Sequence, residues 1–237
     1  MKRILILMGI ALAALTVLPL QVAATPISAS IDLNTVFAGS TPDGNPPWLT
    51  AEFTSSVGSH SGTLVLSFHT TGSDFVQGMS SKKSVIGWAF YLDQALSTSG
   101  ITCAAGTCAG NGASYNASGF NAGPVPGMFN LAFGWSPGSR FTAGDSATYD
   151  LTFLSPLTGN PFVENDSNWS SVAHIQGIGT KGECSGWIVS GDGTGAAGSG
   201  PCSDPPPVTV PEPGMLGMFG LGLLFAGLFL GFRRHYH

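Results

Sequence analysis

The stretch Thr148-Tyr149-Asp150-Leu151-Thr152-Phe153-Leu154 alternates polar and apolar side chains, with Tyr149, Leu151 and Phe153 on one side and Thr148, Asp150 and Thr152 on the other. A period of two gives two faces only to an extended strand. Residues 63–69 repeat the pattern, with Leu64, Leu66 and Phe68 opposing Val65, Ser67 and His69. Residues 48–53, 85–92, 129–135, 172–178 and 187–189 are further strand-length runs, and Gly, Pro, Asn and Ser separate them as turn formers. Long helical periodicity is absent; only a short helical turn is expected, over residues 165–171. No internal repeat is visible, which argues against a solenoid or propeller. The expectation is an all-β exported domain over residues 25–189, an antiparallel β-sandwich or jelly-roll-like fold.

The flanks say where this domain goes. Lys2 and Arg3 precede an uncharged run, residues 4–18, which is broken by Pro19 and followed by small residues up to Ala24. This is the pattern of a secretory signal peptide over residues 1–24, cleaved after Ala24. At the other end residues 215–232 carry no charge and would reach about 27 Å as a helix, enough to cross a bilayer with slight thinning. Arg233 and Arg234 follow at once and hold the C-terminus in the cytoplasm by the positive-inside rule. Residues 190–210 form a Gly/Ser/Pro-rich linker that ends in three consecutive prolines and stands the domain off the membrane.

Directly before the apolar run stand Pro211, Glu212 and Pro213. The two prolines fix their φ angles and withhold two donors, which presents Glu212 on an extended segment at the membrane surface. The Pro-Glu-Pro triplet, the glycine-rich apolar helix, the arginine pair and the short tail of residues 211–237 together resemble the PEP-CTERM sorting signal. That tail is sometimes labelled an ice-binding protein C-terminal domain. The label licenses no ice-binding claim, and no Thr-x-Thr occurs in the chain. The resemblance implies recognition by exosortase and cleavage near the triplet. It also implies an inner-membrane intermediate and delivery to the cell surface or extracellular polysaccharide matrix of a Gram-negative bacterium. The stretch from Arg140 to Trp187 loosely resembles the bodies of other exosortase-sorted surface proteins and carries no catalytic residue across.

In the whole chain of 237 residues only 9% are charged, far below the roughly 25% of a typical soluble domain. Residues 25–210 hold four basic and twelve acidic side chains, a net of −8, which repels nucleic acid and anionic lipid and suits neutral glycans, cations or plain solubility. Cys103, Cys108, Cys184 and Cys202 all lie in the exported part, an even count in an oxidising compartment, and two disulfides are expected. Of the three connectivities, the sequential one closes the shortest loops. Zinc is the weaker reading, because neither spacing is that of a finger or ribbon and no histidine is close in sequence.

The remaining motifs fail on chemistry. Residues 134–138 match GxSxG around Ser136, and Asp145 or Asp150 followed by His174 supplies the chain order of an α/β-hydrolase triad. Pro137 has no N–H to donate to an oxyanion hole. Residues 193–198 match GxGxxG, but Gly200, Pro201 and Cys202 follow where a phosphate-binding helix would start. Glu164, Asn165, Asp166 and Asn168 gather oxygen ligands suited to calcium without the order of an EF-hand loop, and a polar loop capping a short helix explains them better. His60, His69 and His174 show no metal spacing, and nothing pairs Asp145 with Asp150 for glycoside hydrolysis. No catalytic residue, metal or cofactor is expected. Of the five tryptophans Trp48, after two prolines, and Trp169, among polar residues, are expected at the surface, where they would stack on sugar rings.

These readings order the functions. The first is a non-enzymatic, exosortase-sorted surface or matrix protein associated with exopolysaccharide. The alternative is a carbohydrate-binding module of the cell surface, and a secreted hydrolase comes last.

Overall fold

Tyr149 and Leu64, the centres of the two alternating stretches, are register partners on adjacent antiparallel strands, and both are buried. The computed structural model describes residues 24–78 and 87–191. Its thirteen strands, in chain order, are β1 (Pro26–Leu33), β2 (Thr35–Gly39), β3 (Leu49–Ser56), β4 (Ser61–Phe68), β5 (Phe75–Val76), β6 (Trp88–Phe90) and β7 (Leu96–Gly106). They continue with β8 (Ala113–Ala122), β9 (Val125–Phe133), β10 (Phe141–Thr142), β11 (Ser146–Phe153), β12 (Ser171–Ile178) and β13 (Cys184–Ser190). The signal peptide (1–24, save Ala24), most of the linker (190–210) and the sorting tail (211–237) lie outside the described residues, as do Cys202 and the GxGxxG stretch. No helix among the described residues is long and apolar enough to cross a membrane.

Every pairing is antiparallel, as the alternation predicts. One sheet has five strands in the order β1-β3-β4-β11-β7. The other is organised by β12: one of its edges pairs along its length with β13, which in turn pairs with β2, while the opposite edge is divided between β6 and β5. Beyond β6 the sheet continues through β9 to β8, and beyond β5 to β10. The all-β antiparallel architecture agrees with the sequence reading.

Two apolar layers result. The main core lies between the sheets and takes one face of β4 and β11 (Leu64, Leu66, Phe68, Tyr149, Leu151, Phe153) together with Trp88, Phe90, Phe133, Trp135 and Phe141. Trp135 stacks on Phe141 with ring centroids 4.6 Å apart, and Phe133 sits 4.5 Å from Tyr149, so rings from both sheets interlock. The second layer covers the outer face of the larger sheet, where Phe37, Val172, Val189, Ala89, Ala132 and Phe129 pack with Trp169. Strands β6, β9, β12 and β13 of that sheet are therefore largely buried on both faces, which explains why they read as continuous apolar runs.

Three expectations are corrected. Trp48 is 4% and Trp169 1% exposed, so neither is at the surface. Trp48 already sits in the ladder, its N–H donating to Leu33 O at 3.1 Å and its carbonyl accepting from His69 N at 2.8 Å, and its indole belongs to the main core. The expected helical turn over 165–171 is a tight turn closed by Asn168 N to Asn165 O at 2.9 Å, with Asn168 at φ 61°. This reversal turns the Trp169 ring onto the second layer, edge-on to Phe37 at 5.8 Å.

Candidate functional site

At one flank of the sandwich the outermost strands of the two sheets, β7 and β8, lie side by side, and a cleft opens between them. Each of these strands has a neighbour in its own sheet on one side only. Each also bulges. Residues 97–100 of β7 stand opposite the single residue Thr152, since Leu96 pairs with Phe153 and Ile101 with Leu151. Residues 116–119 of β8 likewise stand opposite Asn130 alone, since Tyr115 pairs with Leu131 and Phe120 with Phe129. Bulges bend a strand away from its partner and re-aim its side chains, and they also blunt an edge against strand addition.

The local sequence explains both bulges. In β8 the Asn116 side chain makes its own turn: Oδ1 accepts from Ser118 N at 3.0 Å and Nδ2 donates to Gly119 O at 3.0 Å. Gly119 closes it at φ 81°, where a Cβ would lie 2.8 Å from Met128 Cβ. In β7 a Cβ on Gly100 would collide with the Thr152 carbonyl oxygen and lie 2.6 Å from Ser97 Oγ, so only glycine lets the strand return to its ladder.

The cleft has a volume of about 460 Å³ and is lined by Leu96, Ser97, Thr98, Ser99, Tyr115 and Asn116, among others, with no charged residue. Residues 94–139 as a whole carry no charge and no histidine, in an otherwise acidic domain. The Ser114 hydroxyl, also in the lining, is buried without a hydrogen-bond partner. Burial and then the neighbouring Tyr91 raise the Tyr115 hydroxyl above its ordinary range, so it remains an O–H donor at physiological pH. Hydroxyls, an aromatic face and no charge form a surface able to hydrogen-bond and stack on a neutral polyhydroxylated ligand. No Asp, Glu, His, Lys, Arg or Cys side chain lines it.

The connection between β7 and β8 is held from several sides. Cys103 and Cys108 form a disulfide with Cα atoms 6.0 Å apart. Trp135 Nε1 donates to Thr107 O at 2.9 Å, and Ala109 N donates to the Tyr149 hydroxyl at 2.7 Å. Cys184 is also disulfide-bonded.

The other sequence candidates are not brought together. No hydrogen bond joins Ser136, Asp145 and His174 among the described residues. Asp145 accepts from Thr142 N at 2.7 Å and from Thr107 Oγ1 at 3.1 Å, which makes it a turn-former. His174 stacks on Trp187 with centroids 4.4 Å apart, and burial lowers its affinity for a proton, so it is neutral at pH 7. Asp150 accepts from Thr63 Oγ1 at 3.3 Å in a second, hydroxyl-lined depression on the outer face of the five-stranded sheet. His69 and His60 bond to Thr50 Oγ1 and Phe153 O. In the 164–168 segment Asn165 is buried, and its Oδ1 accepts from Ser167 N and Trp169 N, so these polar residues close a turn and cap no helix. No group of three or more His, Cys, Asp and Glu side chains able to hold a metal occurs among the described residues.

Sequence reasoning missed the cleft. Its strands consist mostly of Ser, Gly, Ala, Thr and Asn, with no sustained alternation; the Asn-Ala-Ser-Gly turn was the one local signal.

Residues 209–234 match the family model of the PEP-CTERM protein-sorting motif. The motif marks an exported protein processed by exosortase through a membrane-anchored intermediate in a Gram-negative envelope. No curated protein and no solved structure matches the chain.

Proposed function

We propose that this chain is a non-enzymatic protein of the cell surface or extracellular matrix, released from its tail by exosortase and retained there by association with exopolysaccharide. The observation that carries this reading is the sorting motif at residues 209–234. The acidic, charge-poor body supports it: such a surface stays soluble beside neutral polymer and holds off nucleic acid and anionic lipid. Among the described residues the carboxylates are scattered and supply no constellation for hydrolysis.

A second reading, a carbohydrate-binding module, is favoured by the uncharged cleft between β7 and β8. In this reading Tyr115 stacks on a sugar ring, and the hydroxyls of Ser97 and Thr98 meet its oxygens. The two readings separate in one experiment, affinity electrophoresis of the protein in gels containing polysaccharide from its own host. Saturable retardation that falls at least tenfold in Tyr115→Ala supports the module. Retardation indifferent to Tyr115 supports diffuse matrix association, and no retardation at any polymer concentration contradicts both.

A further inference from the structure

Four buried side-chain polar atoms among the described residues lack a hydrogen-bond partner, and three of them, Trp48 Nε1, Thr70 Oγ1 and Asp74 Oδ1, belong to two neighbouring loops, residues 40–48 and 69–74. The loops are laced together. His69 N donates to Trp48 O at 2.8 Å, Thr71 N to Asp43 O at 3.4 Å and Asp43 N to Asp74 Oδ2 at 2.8 Å. Asp43 Oδ2 lies 2.7 Å from the point where a Cβ on Gly72 would stand, so this second carboxylate also rests on the 69–74 loop.

Asp74 is fully buried, with one carboxylate oxygen satisfied by a single N–H and the other bare. The charge that acts on it is a like charge, Asp43. A carboxylate removed from water without a compensating charge is costly, and an orphaned oxygen adds to the cost. A positive partner would offset these like charges and take hard oxygens from two carboxylates and a hydroxyl, whereas Trp48 Nε1, a donor, takes no part in holding it. Calcium suits that set better than magnesium, since it takes six to eight oxygens in irregular geometry and accepts loop ligands, whereas magnesium demands a near-ideal octahedron and keeps its waters.

We propose that the loops 40–48 and 69–74 bind one calcium ion between Asp43 and Asp74, with Thr70 Oγ1 as a third protein oxygen. The site is separate from the β7–β8 cleft and from the turn at residues 164–168. Burial pushes Asp74 up to about 6, with the like charge of Asp43 adding to it, so protons compete with the ion and binding weakens below that pH.

The test is calorimetric titration of the full chain, in detergent and stripped of divalent ions, with calcium chloride at pH 7. The expected result is one ion per chain, an affinity at least tenfold weaker in Asp43→Asn and in Asp74→Asn, severalfold weaker in Thr70→Val and unchanged in Asp166→Asn. Asp43→Asn keeps the backbone N–H that holds Asp74, so its fold is preserved even if Asp74→Asn proves unstable. The proposal is overturned if the wild-type chain takes up no calcium at millimolar concentration, or if Asp43→Asn and Thr70→Val bind as the wild type does. Loss of binding in Asp166→Asn with retention in Asp43→Asn overturns it equally, by placing the ion at the other turn.

Discussion

The Tyr149 hydroxyl accepts the Ala109 backbone N–H at 2.7 Å, joining a core side chain of β11 to the connection that carries the chain from one sheet to the other. Tyr149 is 2% exposed and its ring meets Phe133, so the phenol combines a packing role with the hydrogen bond that satisfies that N–H. Tyr149→Phe keeps the ring and orphans the amide, which should lower stability by about 1–3 kcal/mol in urea unfolding. The cleft beside this connection should also loosen, read as faster hydrogen exchange over residues 107–117.

The Cys103–Cys108 disulfide closes a five-residue separation in the same connection. Constraining so short a loop is worth about 2 kcal/mol on the chain-entropy model. The double variant Cys103→Ser with Cys108→Ser should lose about that much by thermal unfolding, and it should weaken polysaccharide retardation only if the cleft is the binding surface.

Trp169 is buried within the second apolar layer, and Trp48 within the main core. Either replacement by alanine should cost about 3–5 kcal/mol by equilibrium unfolding, the usual penalty for emptying a tryptophan site. Neither should act as a surface sugar platform, so polymer binding per folded molecule should be unchanged. Tyr115→Ala, half-buried against the main core at the cleft, should cost less stability than either tryptophan replacement and weaken retardation.

Asp74 titrates in the folded chain at about 6, against 3.8 for an ordinary aspartate, chiefly because it is buried. The folded state thus holds this proton more tightly than the unfolded chain does. The group contributes stability that is complete below about pH 4 and is lost as pH rises through about 6, an amount on the order of 1–3 kcal/mol. Without calcium, the urea midpoint should decline from pH 4.5 to pH 7 more steeply in the wild type than in Asp74→Asn, where the dependence flattens. With millimolar calcium the decline should shrink, because the ion replaces the proton.

The sequence was legible where one chemical pattern dominated. Residues 148–154 and 63–69 alternate because one face meets the core and the other meets water, and they became adjacent strands, β11 and β4. The sorting tail was readable because Pro211, Glu212, Pro213, the apolar run and the arginine pair occur in fixed order. β7 and β8 escaped notice because their side chains are small and hydroxylated, and because bulges of residues 97–100 and 116–119 break the period. Trp48 and Trp169 were misread from their neighbours. Prolines and polar residues beside a tryptophan describe the turn it follows and leave the direction of its ring undetermined, and here both rings turn inward. The Asp43–Asp74 pairing joins residues 31 positions apart, a distance in sequence across which no motif could connect them.

The most direct test of the account is the intact mass, without reduction, of the protein recovered separately from the matrix and from the membranes of its native host. The account predicts a matrix species that begins near Thr25, ends near Pro211 to Pro213 and is lighter by two hydrogens for each disulfide. A chain that keeps Arg233 and Arg234 and occurs only in the membrane fraction would contradict it.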